Sequence, residues 1–151
     1  MVLRIVLGTV YSAMAVAQLA SLPHMSGILS AYGLVTGGAA TALALALIAG
    51  ELVSGIWFVA RPRSKALAPV WVYTGVSVVW TVLAAQAYAR GLTVANCGCF
   101  GIYLTQRLSW FVLLQDALTL FYAALLFRSA RTTPVPSPAD RSEGRDRAGI
   151  P

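Results

Sequence analysis

Apolar residues gather in four long runs, at about 2–20, 38–60, 67–89 and 108–127, and the stretches between them hold most of the polar groups. Each run approaches or exceeds the ~20 residues an α-helix needs to cross a hydrocarbon layer of ~30 Å. The pattern predicts an all-α fold, a four-helix transmembrane bundle over residues 1–127. Arg4 interrupts the first run near its end, where its stem is expected to snorkel toward water. Pro69 falls in the first turn of the third run, where a missing N–H does no harm. Between the first two runs, 21–37 contains Pro23 and several glycines, too broken to span and read as a loop with at most one interfacial turn. The first run also admits a reading as a cleaved signal peptide, with Arg4 as its basic end and Ala13-Met14-Ala15 or Ala15-Val16-Ala17 before the cut. One basic residue and so long an apolar run favour an uncleaved helix.

Composition sharpens this. Hydrophobic residues make up 58% of the 151 and charged residues 11%, against about 25% charged in a soluble domain. Such a chain cannot cover itself with polar groups, so its solvent is lipid. A net charge of +6 would suit nucleic acid if it formed a stripe or a patch interleaved with aromatics. Here the charges flank the apolar runs and act as topology signals. Four crossings place the N-terminus, the second connection and the C-terminal segment on one side. Every Lys and Arg but Arg90 and Arg107 falls there, and the excess persists without the distal Arg141, Arg145 and Arg147. Both termini are therefore expected in the cytoplasm, in a multi-pass protein of the cell membrane. Trp57 and Trp71 then fall near the inner interface and Trp110 near the outer one, while Trp80 lies mid-helix with packing as its only reading. Small residues at 38, 39, 40, 42, 44 and 46 would let the second helix approach a neighbour closely. From 128 to 151, Pro134, Pro136, Pro138, Pro151 and mixed charges read as a disordered cytoplasmic tail.

The chemistry concentrates in Asn96-Cys97-Gly98-Cys99-Phe100-Gly101, a short extracytoplasmic loop before the fourth helix that holds both cysteines. One residue apart, the thiols are close in any fold. Closing a disulfide across one residue makes a tight ring, for which Gly98 supplies the backbone freedom. A strained bond of that kind is easily reduced and suits exchange, and an extracytoplasmic position is oxidising. The bland reading is a pair of inert loop cysteines. A metal is not expected: His24 is the single histidine, and two thiolates do not complete a tetrahedral site. No phosphate loop, nucleophile elbow or paired-histidine motif appears.

Glu51 and Asp116 are the acidic residues that precede the C-terminal segment, and both lie inside proposed spans. A carboxyl group there is costly and normally faces the bundle interior. At ~1.5 Å per residue, Glu51 lies ~20 Å and Asp116 ~12 Å below the outer ends of their helices. Asp116 is thus the better proton carrier for a cysteine, whereas Glu51 is more simply an interhelical packing group. Gln18, Gln86 and Gln115 give the outer half a polar interior. Arg90 and Arg107, at the ends of the cysteine loop, and the start of the fourth helix are candidates to favour a thiolate.

Together, four crossings, Glu51-Leu52-Val53-Ser54-Gly55 in the second helix, and Arg90-Gly91 followed by Cys97-Gly98-Cys99-Phe100-Gly101 resemble the MauE/DoxX-like membrane proteins over roughly residues 5–127. The resemblance implies a redox-associated role in forming or handling disulfides of exported partner proteins, with Gly98, Phe100, Gly101 and Arg90 supporting the loop. Asn96 departs from the pattern, which would place an aspartate before the first cysteine. Three functions follow as expectations. The leading one is a thiol–disulfide oxidoreductase in which Cys97 and Cys99, aided by Asp116, exchange with an exported partner's cysteines. The others are a non-enzymatic membrane assembly factor and a small proton-coupled transporter using Glu51. With no second cysteine pair, electrons must pass to another protein or to a quinone, although no sequence feature indicates a quinone pocket.

Overall fold

The computed structural model describes residues 1–131, and among these it is all-helical: α1 (Val2–Ala20), α2 (Leu22–Ser30), α3 (Gly37–Ala60), α4 (Ala68–Ala89) and α5 (Trp110–Arg131). Four of the five are long and apolar enough to cross a membrane, and the chain is a multi-pass membrane protein. α1 packs along α3, α3 along α4 and α4 along α5, while α1 and α5 approach each other nowhere within 8 Å between Cα atoms. The bundle is therefore a row closed on three sides, with a cleft between its first and last helices.

Without a hydrophobic drive between helices in lipid, close packing and interhelical hydrogen bonds hold such a bundle. The α1–α3 seam uses both. A Cβ on Gly8 would sit 2.8 Å from the Gly55 carbonyl oxygen, and one on Gly55 would sit 2.6 Å from the Ser12 hydroxyl, so this crossing requires its two glycines. Of the small residues early in α3, Ala40 and Ala44 are buried, whereas positions 38, 39, 42 and 46 face outward. Removing α1 by signal cleavage would strip this whole seam, and with it Tyr11, Met14 and Gln18 from the core.

Three expectations need correction. The stretch after α1 is a nine-residue helix, α2, laid against α3. Pro23 sits in its first turn, where the ring starts a helix rather than breaking one, and Met25 and Leu29 are fully buried. Arg4 does not snorkel: it is buried, stacks 5.6 Å over the Phe58 ring and donates to the Ser64 carbonyl, tying α1 to the α3–α4 connection. Lastly, α5 starts at Trp110 rather than 108 and runs on to Arg131, so the segment from 128 is helical at first. The remainder of the expected tail, 132–151, lies outside the described residues. Trp57, Trp71 and Trp110 face outward, as interfacial aromatics do.

Candidate functional site

Residues 91–109 form an extended hairpin-like loop instead of a cap over the bundle. Leu108 N–H donates to the Val94 carbonyl, Cys97 N–H donates to the Gln106 carbonyl at 2.8 Å, and Phe100 bridges to Leu104. Its tip, Ile102 to Leu104, is exposed. Its cysteine limb is pressed inward: Cys97 is 2% exposed and Cys99 8%. The pair thus lies inside the bundle, not at a rim as its place in a loop suggested.

The limb is clamped from several directions. The Tyr32 hydroxyl, just past α2, donates to the Cys97 carbonyl at 2.8 Å, and Gln18 Nε2 in α1 donates to the Cys99 carbonyl at 3.0 Å. Gly98 has φ +84, with Ile28 of α2 and the Trp80 ring crowding the space a Cβ would take. Gly101 has φ +59 and rests on Ser21, at the elbow between α1 and α2. Left-handed backbone and absent side chains are what let the loop enter. The hydroxyl of Tyr32 is raised in pKa by burial and stays a donor.

Asn96, the departure from the family pattern, explains itself here. Its Oδ1 accepts the Gly98 N–H at 3.0 Å while its Nδ2 donates to the Gly101 carbonyl at 2.7 Å. An aspartate can make only the first of these. Asn96→Asp is expected to cost about 0.5–1.5 kcal/mol for the lost hydrogen bond, read as a lower unfolding midpoint in detergent. Its new charge beside Cys97 should also slow alkylation of that thiol.

The two sulfurs lie 3.4 Å apart as free thiols. A hydrogen bond from the Cys99 thiol holds Cys97 down at about 7, below the ordinary cysteine range, against burial and the nearby Asp116, which both push it up. That same hydrogen bond, then burial, pushes Cys99 well up. Cys97 is thus the more acidic thiol of the pair, and Cys99 the one whose hydrogen bond favours its thiolate. Cys99→Ala removes the hydrogen bond and leaves the burial, so the Cys97 midpoint should rise from about 7 toward or past the ~8.5 of a free cysteine. Alkylation by iodoacetamide at pH 7 should slow about 10-fold, which a rate–pH profile measures. Arg90 is not part of this: it donates to Gln86 Oε1 and the Gly33 carbonyl, and neither it nor Arg107 is among the groups that shift Cys97.

Beneath the thiols lies a polar layer. Glu51 Oε1 accepts from Trp80 Nε1 at 2.8 Å and from Gln18 Nε2 at 3.3 Å. Gln18 therefore joins Glu51 to the Cys99 carbonyl, and Glu51 belongs to the thiol site although its depth suggested separation. Trp80, expected only to pack, is the centre of this layer. Gln86 holds the Tyr32 carbonyl at 2.7 Å and so supports the clamp on Cys97. Asp116 and Gln115 lie on α5 and, with Cys99, line one cavity. Gln18 Oε1, Glu51 Oε2 and Asp116 Oδ2 are buried without a protein partner. Phe100 is half-buried and packs on the core. Among the described residues no group of three or more His, Cys, Asp or Glu side chains is placed to hold a metal ion.

Tyr32, Ile28 and Ser21, to which the sequence assigns no role, and Trp80, which it reads only as packing, are neighbours of the thiol limb. Only an in-turned loop gives them a role, and no sequence signal distinguishes an in-turned loop from an exposed one. Compared with known proteins, residues 1–129 match the family model described as methylamine utilisation protein MauE. No curated protein and no solved structure matches.

Proposed function

We propose, for a chain that belongs to the methylamine utilisation protein MauE family, that it forms or exchanges disulfides in an exported partner through Cys97 and Cys99. The observation that carries this reading is the pair of free thiols 3.4 Å apart, one lowered to about 7, in a limb clamped from α1, α2 and α4. A disulfide requires the sulfurs to close to about 2.05 Å, a small movement for neighbours on one glycine-hinged limb. Oxidation of the pair releases two electrons and two protons. A partner thiolate then attacks the Cys97–Cys99 bond, forms a mixed disulfide with one sulfur and expels the other. A second partner thiol resolves it, leaving the partner oxidised and the pair reduced.

The Lys and Arg distribution supports an extracytoplasmic position for this end of the bundle, where an oxidising surrounding favours the chemistry. Because both thiols are buried, exchange requires the limb to lift from its clamps. The experiment is the replacement of both cysteines by serine in cells, reading the thiol state of exported proteins by alkylation. The expected result is accumulation of reduced partner. An unchanged oxidation state in the double variant would remove the proposal.

A further inference from the structure

We propose that the cleft between α1 and α5 binds a membrane quinone whose ring lies against Cys99 and takes the two electrons released as Cys97 and Cys99 close. This deepens the thiol–disulfide reading and rests on it. The chain has two cysteines in all, so the pair has no internal thiol relay to pass electrons to. Its route outward runs through its surroundings, and the surroundings at Cys99 are the cleft.

Three features of the cleft match that oxidant. First, α1 and α5 do not pack together, so the opening faces sideways into lipid, with Val10 on one lip and Leu118 on the other, 41% and 44% exposed. A reagent arriving this way travels in the bilayer. Second, the cavity holds about 230 Å³ and is walled by Met14, Tyr11, Trp80 and Tyr122. A dry apolar cavity of about 150 Å³ accepts a benzene ring, so this one has room for a substituted ring between aromatic walls. Third, Cys99 and Asp116 both line it, and Asp116, 8% exposed, has Oδ2 without a protein partner. An apolar slot lined by one thiol residue and by one carboxyl residue with an unpaired oxygen suits a flat molecule with a reducible carbonyl.

The step balances. Two S–H bonds break and one S–S bond forms. The electron pair passes to the quinone ring, and its two carbonyl oxygens become hydroxyls by taking up the two protons. Asp116 carries one proton, receiving it from the thiol side and delivering it to the nearer oxygen, and is unchanged at the end. The products are one Cys97–Cys99 disulfide and one quinol per turnover.

The test uses the full chain in phospholipid nanodiscs with the pair reduced, given decylubiquinone in one arm and menaquinone-4 in the other. Quinone absorbance and disulfide content are followed together. One disulfide should form per quinone consumed in at least one arm, the arm identifying the ring class. Val10→Trp and Leu118→Trp fill the cleft from opposite lips at lipid-facing positions, and each should slow consumption at least about 10-fold. Asp116→Asn should lower kcat by about 10²-fold, a general acid–base effect, with the quinone KM little changed. If the wild-type pair, oxidised chemically, exchanges with a dithiol peptide but its reduced form consumes neither quinone, the cleft proposal is overturned and the exchange reading stands. Failure to exchange with the peptide sinks the exchange reading itself. Wild-type rates in both tryptophan variants also overturn the cleft proposal, and leave the cleft to another occupant such as a partner's helix.

Discussion

Replacement of Gly98 by valine is expected to lift Cys97 and Cys99 away from the α1–α5 cleft and abolish their oxidation there, while leaving the four spans in place. Gly98 has φ +84, a conformation that costs an L-residue about 1–2 kcal/mol. A Cβ there would lie 2.8 Å from the Ile28 Cγ2 and 3.4 Å from a Trp80 ring carbon. Ile28 is held by α2 and Trp80 by its hydrogen bond to Glu51, so neither yields freely. Overpacking adds about 1–3 kcal/mol. Together these come to about 2–5 kcal/mol, set against about 1–3 kcal/mol from the Tyr32 and Gln18 hydrogen bonds that keep the limb inside. The limb should lift out, and both thiols should react with alkylating reagent at rates typical of exposed cysteine. Helix content by circular dichroism should stay near the wild-type value. A variant with wild-type thiol protection would mean that the limb is not seated against Ile28 and Trp80.

The second large effect separates two roles for Glu51. As an acceptor it serves Trp80 and Gln18. Glu51→Leu leaves Trp80 Nε1–H and one Gln18 amide hydrogen buried and unpaired, at about 1–3 kcal/mol each, and leaves Gln18 held only by its bond to the Cys99 carbonyl. We expect a marked loss of thermal stability in detergent and faster alkylation of Cys99. Glu51→Gln keeps a carbonyl oxygen facing the same donors and should retain most of the stability and the thiol protection. A transporter built on Glu51 predicts no such ordering, since either change removes the titrating group and abolishes flux alike. Alkylation rates across the two variants distinguish them.

Much of the scaffold was legible because lipid imposes a simple rule: about twenty apolar residues in a row make a span. The boundaries of α1, α3 and α4 follow from it within a residue. α2 is not legible because Pro23 reads as a breaker, although the first turn of a helix tolerates it, and because nine residues carry little periodic signal. The thiol pair itself was visible in Cys97-Gly98-Cys99. Its depth was not. A linear reading places a loop outside its helices, and only the left-handed glycines at 98 and 101, seated on Ile28, Trp80 and Ser21, turn it inward. Rise per residue placed Glu51 far from the thiols along the helix axis, but it ignores the reach of Gln18 and Trp80, whose side chains span the gap. Arg4 failed for a related reason. Its terminal position suggested water, whereas the Phe58 ring and the Ser64 carbonyl offered it a partner inside. The lateral cleft was beyond sequence altogether, since nothing along the chain states which pair of helices is left unpacked.

The most direct measurement is the redox state of Cys97 and Cys99 themselves in growing cells. Cells are quenched in acid, denatured and alkylated, and the peptide carrying both cysteines is weighed with and without prior reduction. A membrane protein that cycles electrons through this pair should show both the doubly alkylated form and the form lacking two hydrogens, in a ratio that moves with aeration. A peptide found doubly alkylated under every condition would contradict a redox role for these thiols.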